Sequence, residues 1–153
     1  MPKFRYSTKI EEPCARAIGK EMRISPKHAV EVCRAIRGMK LEEAKDYLRA
    51  VVAKKRAVPF KRHRKKLAHR KGLEGWSAGQ YPVKTARAIL KVLENAEANA
   101  NYKGLNTENL FIVHASAHKG ITIPGFIPRA FARSTPFNTP LTNVEIILKE
   151  GSK

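Results

Sequence analysis

The sequence predicts an α+β fold in which three helices pack on a small antiparallel sheet, with a long protruding β-hairpin. Three segments carry apolar residues at helical spacing, which indicates amphipathic helices. Two later segments, residues 110–118 and 143–149, are rich in β-branched and apolar residues, which is typical of strands. The chain has 153 residues and 42% hydrophobic composition, enough for one domain with a buried core.

The first predicted helix begins after Ser25, a residue type that caps helix starts, and has Pro26 at its first position. Gly38 follows its predicted end. Its apolar face, spaced i, i+3, i+4 and i+7, consists of Ala29, Val32, Cys33 and Ile36. Its opposite face is basic and consists of Lys27, His28, Arg34 and Arg37.

Two further helices and a short strand complete the predicted body. The strand is placed at residues 20–24. The second helix is placed at residues 41–53, where Glu42 and Glu43 complement the positive end of the helix dipole. The third helix begins at Pro82 and stops before Gly104. The predicted buried positions are Leu41, Ala44, Leu48 and Val51 in the second helix and Val83, Ala86, Leu90, Leu93, Ala96 and Ala100 in the third.

The protruding hairpin, residues 109–149, is predicted from a stretch of 36 residues, 109–144, that contains no Asp or Glu. Strands pairing across it would carry its proline-rich middle outward, and at about 3.3 Å per residue each half reaches at most ~60 Å. A body of this size has a radius of gyration of only ~15 Å. The alternation of Val144, Ile146 and Leu148 against Glu145 and Lys149 places these two sets on opposite faces of the last strand.

The middle of the hairpin is strongly apolar for a segment that protrudes. Such side chains are an aggregation liability on a free protein, whereas a permanently assembled protein tolerates them. The residues expected to be exposed are Ile121, Ile123, Phe126, Ile127, Phe131 and Phe137.

The charge balance indicates a polyanionic partner. Lys and Arg number 31 against 13 acids, so the formal net charge is +18. Nucleic acid is the first partner class for such a surplus, and an anionic membrane surface is the second. No segment approaches the ~20 apolar residues of a membrane span, and residues 1–13, which we expect to be loosely held, contain no apolar signal region.

A basic insertion at residues 54–81 separates the second and third helices. Residues 54–71 hold ten Lys or Arg, two His and no acid. This run is compatible with a solvated loop, a localisation signal or a phosphate-binding arm. Uncompensated like charges repel one another unless a polyanion neutralises them, which favours nucleic-acid contact. Trp76, in the glycine-rich second half, either stacks on an unpaired base or packs against its own domain.

Enzymatic and metal-binding functions are disfavoured. His114 and His118 lie four residues apart on a strand and point to one side, but no acid within residues 109–144 orients their rings. Asp46 is the single aspartate, and no acidic pair is placed to hold a catalytic metal. The two cysteines form no CxxC pair. They could form a disulfide, although a chain without a signal peptide favours the reduced state, and Cys33 falls on an apolar helix face. We expect no cofactor.

These segments together resemble the L-twenty-two family (uL22) of large-subunit ribosomal proteins, in its archaeal and eukaryotic form. The resemblance covers about residues 10–150. The matching segments are Ser25-Pro26-Lys27, Ile36-Arg37-Gly38, Glu42-Glu43-Ala44, Asn95-Ala96-Glu97-Ala98-Asn99, Pro128-Arg129-Ala130 with Arg133, and the final strand from Val144 to Leu148. Two positions depart from the common pattern, since Ala132 replaces a frequent glycine and Asn143 a frequent histidine.

The resemblance implies a structural, non-enzymatic protein of the cytoplasmic large ribosomal subunit that binds ribosomal RNA and assists subunit assembly. It implies a hairpin that lines the nascent-polypeptide exit tunnel, with its tip at about residues 121–136. The implied partners are ribosomal RNA, neighbouring ribosomal proteins and the nascent polypeptide, with no homo-oligomer. The alternatives are a free-standing nucleic-acid binder, such as a DNA-compacting factor, and an RNA-processing enzyme.

The candidate site residues follow from the basic segments and from the hairpin. The predicted RNA-binding residues are Lys27, His28, Arg37, Lys54, Lys55, Arg56, Lys61, Arg62, Arg64, Lys65, Lys66, Arg70, Lys71, Trp76, Lys119, Arg129 and Arg133. The predicted tunnel-lining residues are Ile123, Pro124, Gly125, Phe126, Ile127, Pro128, Arg129 and Phe131.

Overall fold

The computed structural model describes residues 6–9 and 12–151 and confirms the α+β class. The helices are α1 (Pro26–Ile36), α2 (Leu41–Val52) and α3 (Val83–Tyr102), followed by a 3-10 turn at Thr107–Asn109. The strands are β1 (Ala15–Met22), β2 (Val58–Pro59), β3 (Gly79–Gln80), β4 (Leu110–Ile123), β5 (Phe126–Pro128), β6 (Ser134–Pro136) and β7 (Thr139–Glu150). Among the described residues, β7 lies between β1 and β4 in an antiparallel sheet, while β2–β3 and β5–β6 form two small ribbons.

The core lies between this sheet and the helices. The predicted apolar faces of α1 and α2 are buried, as expected from their spacing. Ser25 occupies the position before α1 and Pro26 its first turn, although the Ser25 side chain makes no capping hydrogen bond. The loop after α1 is tied to β4, because the Gly38 amide donates to the Ile112 carbonyl and the Ile112 amide donates to the Met39 carbonyl.

The predicted buried stripe of α3 is wrong at two positions. Val83 and Leu90 are only partly buried, whereas Ile89 and Val92 are buried. Because α3 packs on both β1 and α2, its buried face is centred on Ile89 and is rotated around the helix from the predicted stripe.

The first strand also lies elsewhere than predicted. It covers Ala15–Met22 rather than residues 20–24. Its inward residues are Ala15 and Ala17, which pair with Leu148 and Ile146 of β7. Alanines give no clear apolar alternation, so the periodicity that marks most half-buried strands was absent.

The predicted hairpin is present. Strands β4 and β7 pair antiparallel from Leu110 with Glu150 to Ile123 with Thr139. The accompanying strand β1 ends with Met22 opposite Thr142, so the hairpin continues as two strands beyond that level. About eleven residues per arm then extend roughly 35 Å to the tip.

The tip closes in a tight turn between β5 and β6. The Arg129 amide donates to the Arg133 carbonyl at 2.8 Å. Phe131 and Ala132 have positive φ angles of 58° and 52°, a conformation that L-residues adopt at a cost. All six apolar side chains expected to be exposed along the hairpin are exposed.

Candidate nucleic-acid interface

A cleft between α1 and the basic insertion, which we call the α1 cleft, brings together five of the predicted RNA-binding residues. Its volume is about 400 Å³. The predicted residues that line it are Lys27, His28, Arg62, Arg64 and Lys65. The other lining residues are Phe60, His63, Leu67 and Gln80. Every charged side chain lining this cleft is basic, so it offers several donors to a phosphate group.

The floor of the α1 cleft is aromatic. Phe60 is buried, and the ring of His28 meets it edge-on with 5.4 Å between centroids. Burial lowers the pKa of His28, and the nearby His63 lowers it further. His28 is therefore mainly neutral at pH 7 and contributes a polar ring rather than a fifth cationic side chain beside the four Lys and Arg residues of the cleft.

A buried carboxylate, which the sequence analysis missed, holds the wall of this cleft. Glu31 of α1 has no exposed surface. Its two carboxylate oxygens accept hydrogen bonds from the backbone amides of Lys61, Arg62 and His63, at 3.1, 2.7 and 2.8 Å. Its acceptor role was invisible in the sequence because these amides lie about thirty residues further along the chain.

A second cleft lies on the other side of the insertion, and we call it the α2 cleft. Its volume is about 290 Å³, and Arg56 and Lys61 line it together with Arg34, Tyr47 and Glu74. The guanidinium of Arg56 lies 4.9 Å from the centre of the Tyr47 ring. Arg34 was placed on the basic face of α1 but was not among the predicted RNA-binding residues, and its place in this cleft adds it as a candidate.

The insertion is folded against the body rather than being a bare loop. Its backbone forms the β2–β3 ribbon. The Trp76 indole N–H donates to the Phe60 carbonyl at 3.0 Å, a contact that supports the packing alternative for this tryptophan. Two arginines stack on aromatic rings, with Arg64 5.9 Å from the Trp76 ring and Arg70 5.3 Å from the Tyr81 ring.

The remaining predicted residues of the insertion lie outside both clefts. These are Lys54, Lys55, Lys66, Arg70 and Lys71, all of which are exposed. They extend the positive surface without converging on one point.

The predicted hairpin residues are distributed along its length. At its root, Arg37 donates from its guanidinium to the Ala115 carbonyl at 2.7 Å, so this arginine braces the edge of β4. Lys119 is exposed further out. At the tip, Arg129 Nε donates to the Thr135 hydroxyl at 3.1 Å, and the Arg133 guanidinium lies 6.0 Å from the Phe131 ring. Both tip arginines are exposed.

A polar cluster on the outer side of the sheet contains His114 and His118 and corrects the expectation that no acid orients their rings. Although no acid lies within residues 109–144, Glu145 of β7, the strand that pairs with β4, orients both rings. The Nε2 atoms of His114 and His118 lie 3.2 and 3.0 Å from Glu145 Oε1, and the Ser116 hydroxyl donates to the same oxygen at 2.6 Å. Ser7 donates to this carboxylate from both its amide and its hydroxyl.

This cluster makes Glu145 a buried anion rather than a surface charge. Burial alone would raise the pKa of its carboxyl, but hydrogen bonds from Ser116, Ser7 and His118 outweigh burial and lower the pKa to about 2. The contacts also hold part of the N-terminal segment that was expected to be loose. Residues 1–5 and 10–11 of that segment lie outside the described residues.

The described part of the chain has neither a metal site nor a membrane-spanning helix. In it, no three His, Cys, Asp or Glu side chains come together as a metal site. No helix there has the length and apolar character needed to cross a membrane. Cys14 and Cys33 are both buried and unpaired.

The fold defines a class, a small basic α+β protein with a protruding hairpin, and comparison with known proteins identifies the family. The family model described as Ribosomal protein L22p/L17e matches residues 17–149. The protein named large ribosomal subunit protein uL22 from Methanopyrus kandleri is 60% identical over 141 residues, covering 92% of this chain and 89% of that protein. The uL22 proteins of Archaeoglobus fulgidus and Methanocaldococcus jannaschii are 59% and 53% identical, over 94% and 98% of this chain and 93% and 97% of their own lengths.

The chain therefore belongs to the ribosomal protein L22p/L17e family. It is a structural, non-enzymatic protein of the large subunit of the cytoplasmic ribosome, as the resemblance predicted. The similar proteins are archaeal, which agrees with the predicted branch.

Proposed function

We propose that this protein binds large-subunit ribosomal RNA through its two clefts and exposed basic residues, and that its hairpin lines the nascent-polypeptide exit tunnel. By joining RNA segments at the body and along the hairpin, it assists assembly of the subunit. The observation that carries the proposal is the distal hairpin, residues 120–141 beyond the end of β1, which combines exposed apolar side chains with the absence of carboxylates.

The distal hairpin has the chemistry of a segment enclosed by RNA. Phe126 and Phe131 are 72% and 89% exposed. A two-stranded ribbon has no second layer of structure against which these rings could be buried. Aromatic rings and arginines such as Arg129 and Arg133 stack on bases and pair with phosphates. An Asp or Glu would be repelled by the surrounding phosphates, and residues 109–144 contain none.

The body supplies the second part of the proposal. Lys27, Arg62, Arg64 and Lys65 converge on the α1 cleft, whereas Arg34, Arg56 and Lys61 line the α2 cleft. Contacts of this kind fix position and orientation on the nucleic acid rather than read its sequence. We expect neighbouring ribosomal proteins and the nascent polypeptide as further partners, and no homo-oligomer.

Site-specific photo-crosslinking tests the tunnel assignment. A photoreactive aromatic residue replaces Phe131 at the tip or, as the matched control, Tyr102, which is 94% exposed on the body. Ribosomes carrying either variant are stalled with nascent chains of increasing length. We expect the residue at position 131 to crosslink to ribosomal RNA and to nascent chains still inside the tunnel, and the residue at 102 to miss such chains. Crosslinks to enclosed nascent chains from 102 and none from 131 would overturn the tunnel assignment.

A further inference from the structure

We propose that Glu31 is a positioning residue for RNA binding, because it sets the backbone direction that points the cations of the insertion into the α1 cleft. This inference rests on the proposed RNA-binding function and deepens it. Glu31 does not itself touch RNA in this account, since its side chain is completely buried behind the cleft wall.

The geometry around Glu31 is that of an anion held by consecutive backbone amides. The amides of Lys61, Arg62 and His63 all point at one carboxylate, with Arg62 and His63 sharing Oε1 and Lys61 bonded to Oε2. Three amides that converge in this way require a defined local backbone conformation. The carboxylate charge also offsets part of the repulsion among the cations of this run, which otherwise favours a splayed chain.

The insertion is anchored independently just before this point. Phe60 is buried, its amide donates to the Ala78 carbonyl at 3.1 Å, and its carbonyl accepts from Trp76. Without the Glu31 carboxylate the segment would therefore stay attached at Phe60. What it would lose is the direction of the chain beyond Phe60, from which Arg62, Arg64 and Lys65 enter the cleft.

The positioning role and a purely electrostatic role predict opposite changes in RNA affinity when the Glu31 charge is removed. A buried negative charge behind a phosphate-binding cleft weakens the positive potential there, so its removal by charge alone would tighten RNA binding. If Glu31 instead holds the cations in place, its removal scatters them and weakens binding.

The test uses the full chain with large-subunit ribosomal RNA as the probe, and measures affinity over a range of salt concentrations. We expect Glu31→Gln to lower the affinity for RNA about tenfold at physiological salt. The slope of log affinity against log salt concentration should fall by the equivalent of about one to two phosphate contacts. The matched control is Glu43→Gln, which removes the same charge from an exposed position in the first turn of α2 and should leave affinity unchanged or slightly raised. Unchanged or tighter binding by Glu31→Gln would overturn the inference.

A second background separates positioning from general loss of structure. In a variant with Lys61, Arg62, Arg64 and Lys65 all replaced by Gln, Glu31→Gln should add no further loss, because the side chains it positions are gone. An equal further loss there would overturn the inference in favour of a purely structural role. If the fourfold variant itself binds RNA as tightly as the native protein, the proposed function of the clefts fails instead.

A third variant covers the case in which Glu31→Gln does not fold. Glu31→Asp keeps the charge but shortens its reach, and we expect an intermediate loss of affinity. Hydrogen exchange at residues 61–63 should accelerate in parallel, while exchange in α3 stays unchanged. Native affinity combined with accelerated exchange would contradict the inference, since the backbone would then be loosened without consequence.

Discussion

The basic insertion and the distal hairpin are both cationic, but the insertion is packed against the body whereas the distal hairpin is not. In the insertion, three backbone amides donate hydrogen bonds to Glu31 of α1, and arginines lie over the rings of Tyr47, Trp76 and Tyr81. In the described structure, the hairpin beyond the level of Thr142 pairs only with itself and exposes its apolar side chains. The conformation of the insertion is therefore set by contacts within the protein, whereas we expect the conformation of the distal hairpin to be set by the partner that encloses it.

A Phe→Ala substitution in each of the two regions should give the largest difference in the free energy of unfolding. We expect Phe60→Ala to lower the free energy of unfolding by about 3–5 kcal/mol, because it empties a buried site under the insertion. Phe126→Ala should change it by less than about 0.5 kcal/mol, because that ring is exposed. Chemical denaturation of both variants measures the contrast, and similar losses would show that the tip is packed like a core.

The root of the hairpin, unlike its tip, should be sensitive to acid. The pKa of Glu145 is lowered from 4.5 to about 2, so its contribution to stability is complete above about pH 4.5 and is lost as the pH falls towards 2. Glu145→Gln should therefore cost on the order of 3 kcal/mol at neutral pH and almost nothing near pH 2.

Unfolding curves of this variant across that range provide the measurement, with Glu108→Gln, an exposed acid beside the root, as the control. A stability difference between the native protein and Glu145→Gln that did not vary with pH would mean that the variant acts through packing rather than charge.

Removal of residues 122–135 should separate folding from function. Since these residues lie beyond the three-stranded sheet, we expect the free energy of unfolding to change by no more than about 1 kcal/mol. Crosslinks from the hairpin to the tunnel interior should disappear. Failure of the trimmed body to fold alone would place the hairpin within the core.

The smallest effect should come from the tip turn. Ala132 has a φ of 52°, where glycine is free of strain, so Ala132→Gly should stabilise the turn locally by a few tenths to about 1 kcal/mol. Slower hydrogen exchange of the Arg129 amide, which donates to Arg133, would register this effect. Faster exchange in this variant would argue that the added backbone freedom outweighs the relieved strain.

The elements that could be predicted from sequence are those whose signal is local. The faces of α1 and α2 follow from their 3.6-residue period, and the hairpin follows from β-branched runs on either side of an acid-free stretch. The exposure of the apolar tip could be predicted because a protruding ribbon has no second layer to cover it.

The elements that escaped prediction depend on contacts between distant residues. Strand β1 buries alanines, which give no periodic signal. Glu31 drew no prediction and Glu145 was placed only on one face of the last strand, because the groups that bond to them are far away in sequence. Those groups are the amides of residues 61–63 and the side chains of Ser7 and His118. Arg34 was assigned to a basic face, but its cleft exists only because the insertion folds back beside α1 and α2.

The distance between the hairpin tip and the body tests directly whether the hairpin protrudes rather than packs on its own helices. Spin labels on cysteines introduced at Ala132 and at the exposed Ala98 of α3 report it in the free protein and in the assembled large subunit. Native Cys14 and Cys33 are buried and should remain unlabelled. We expect a separation of at least ~40 Å in the assembled subunit and no packed short-distance population in the free protein. A sharp distance near ~20 Å would place the tip against its own helices and contradict it.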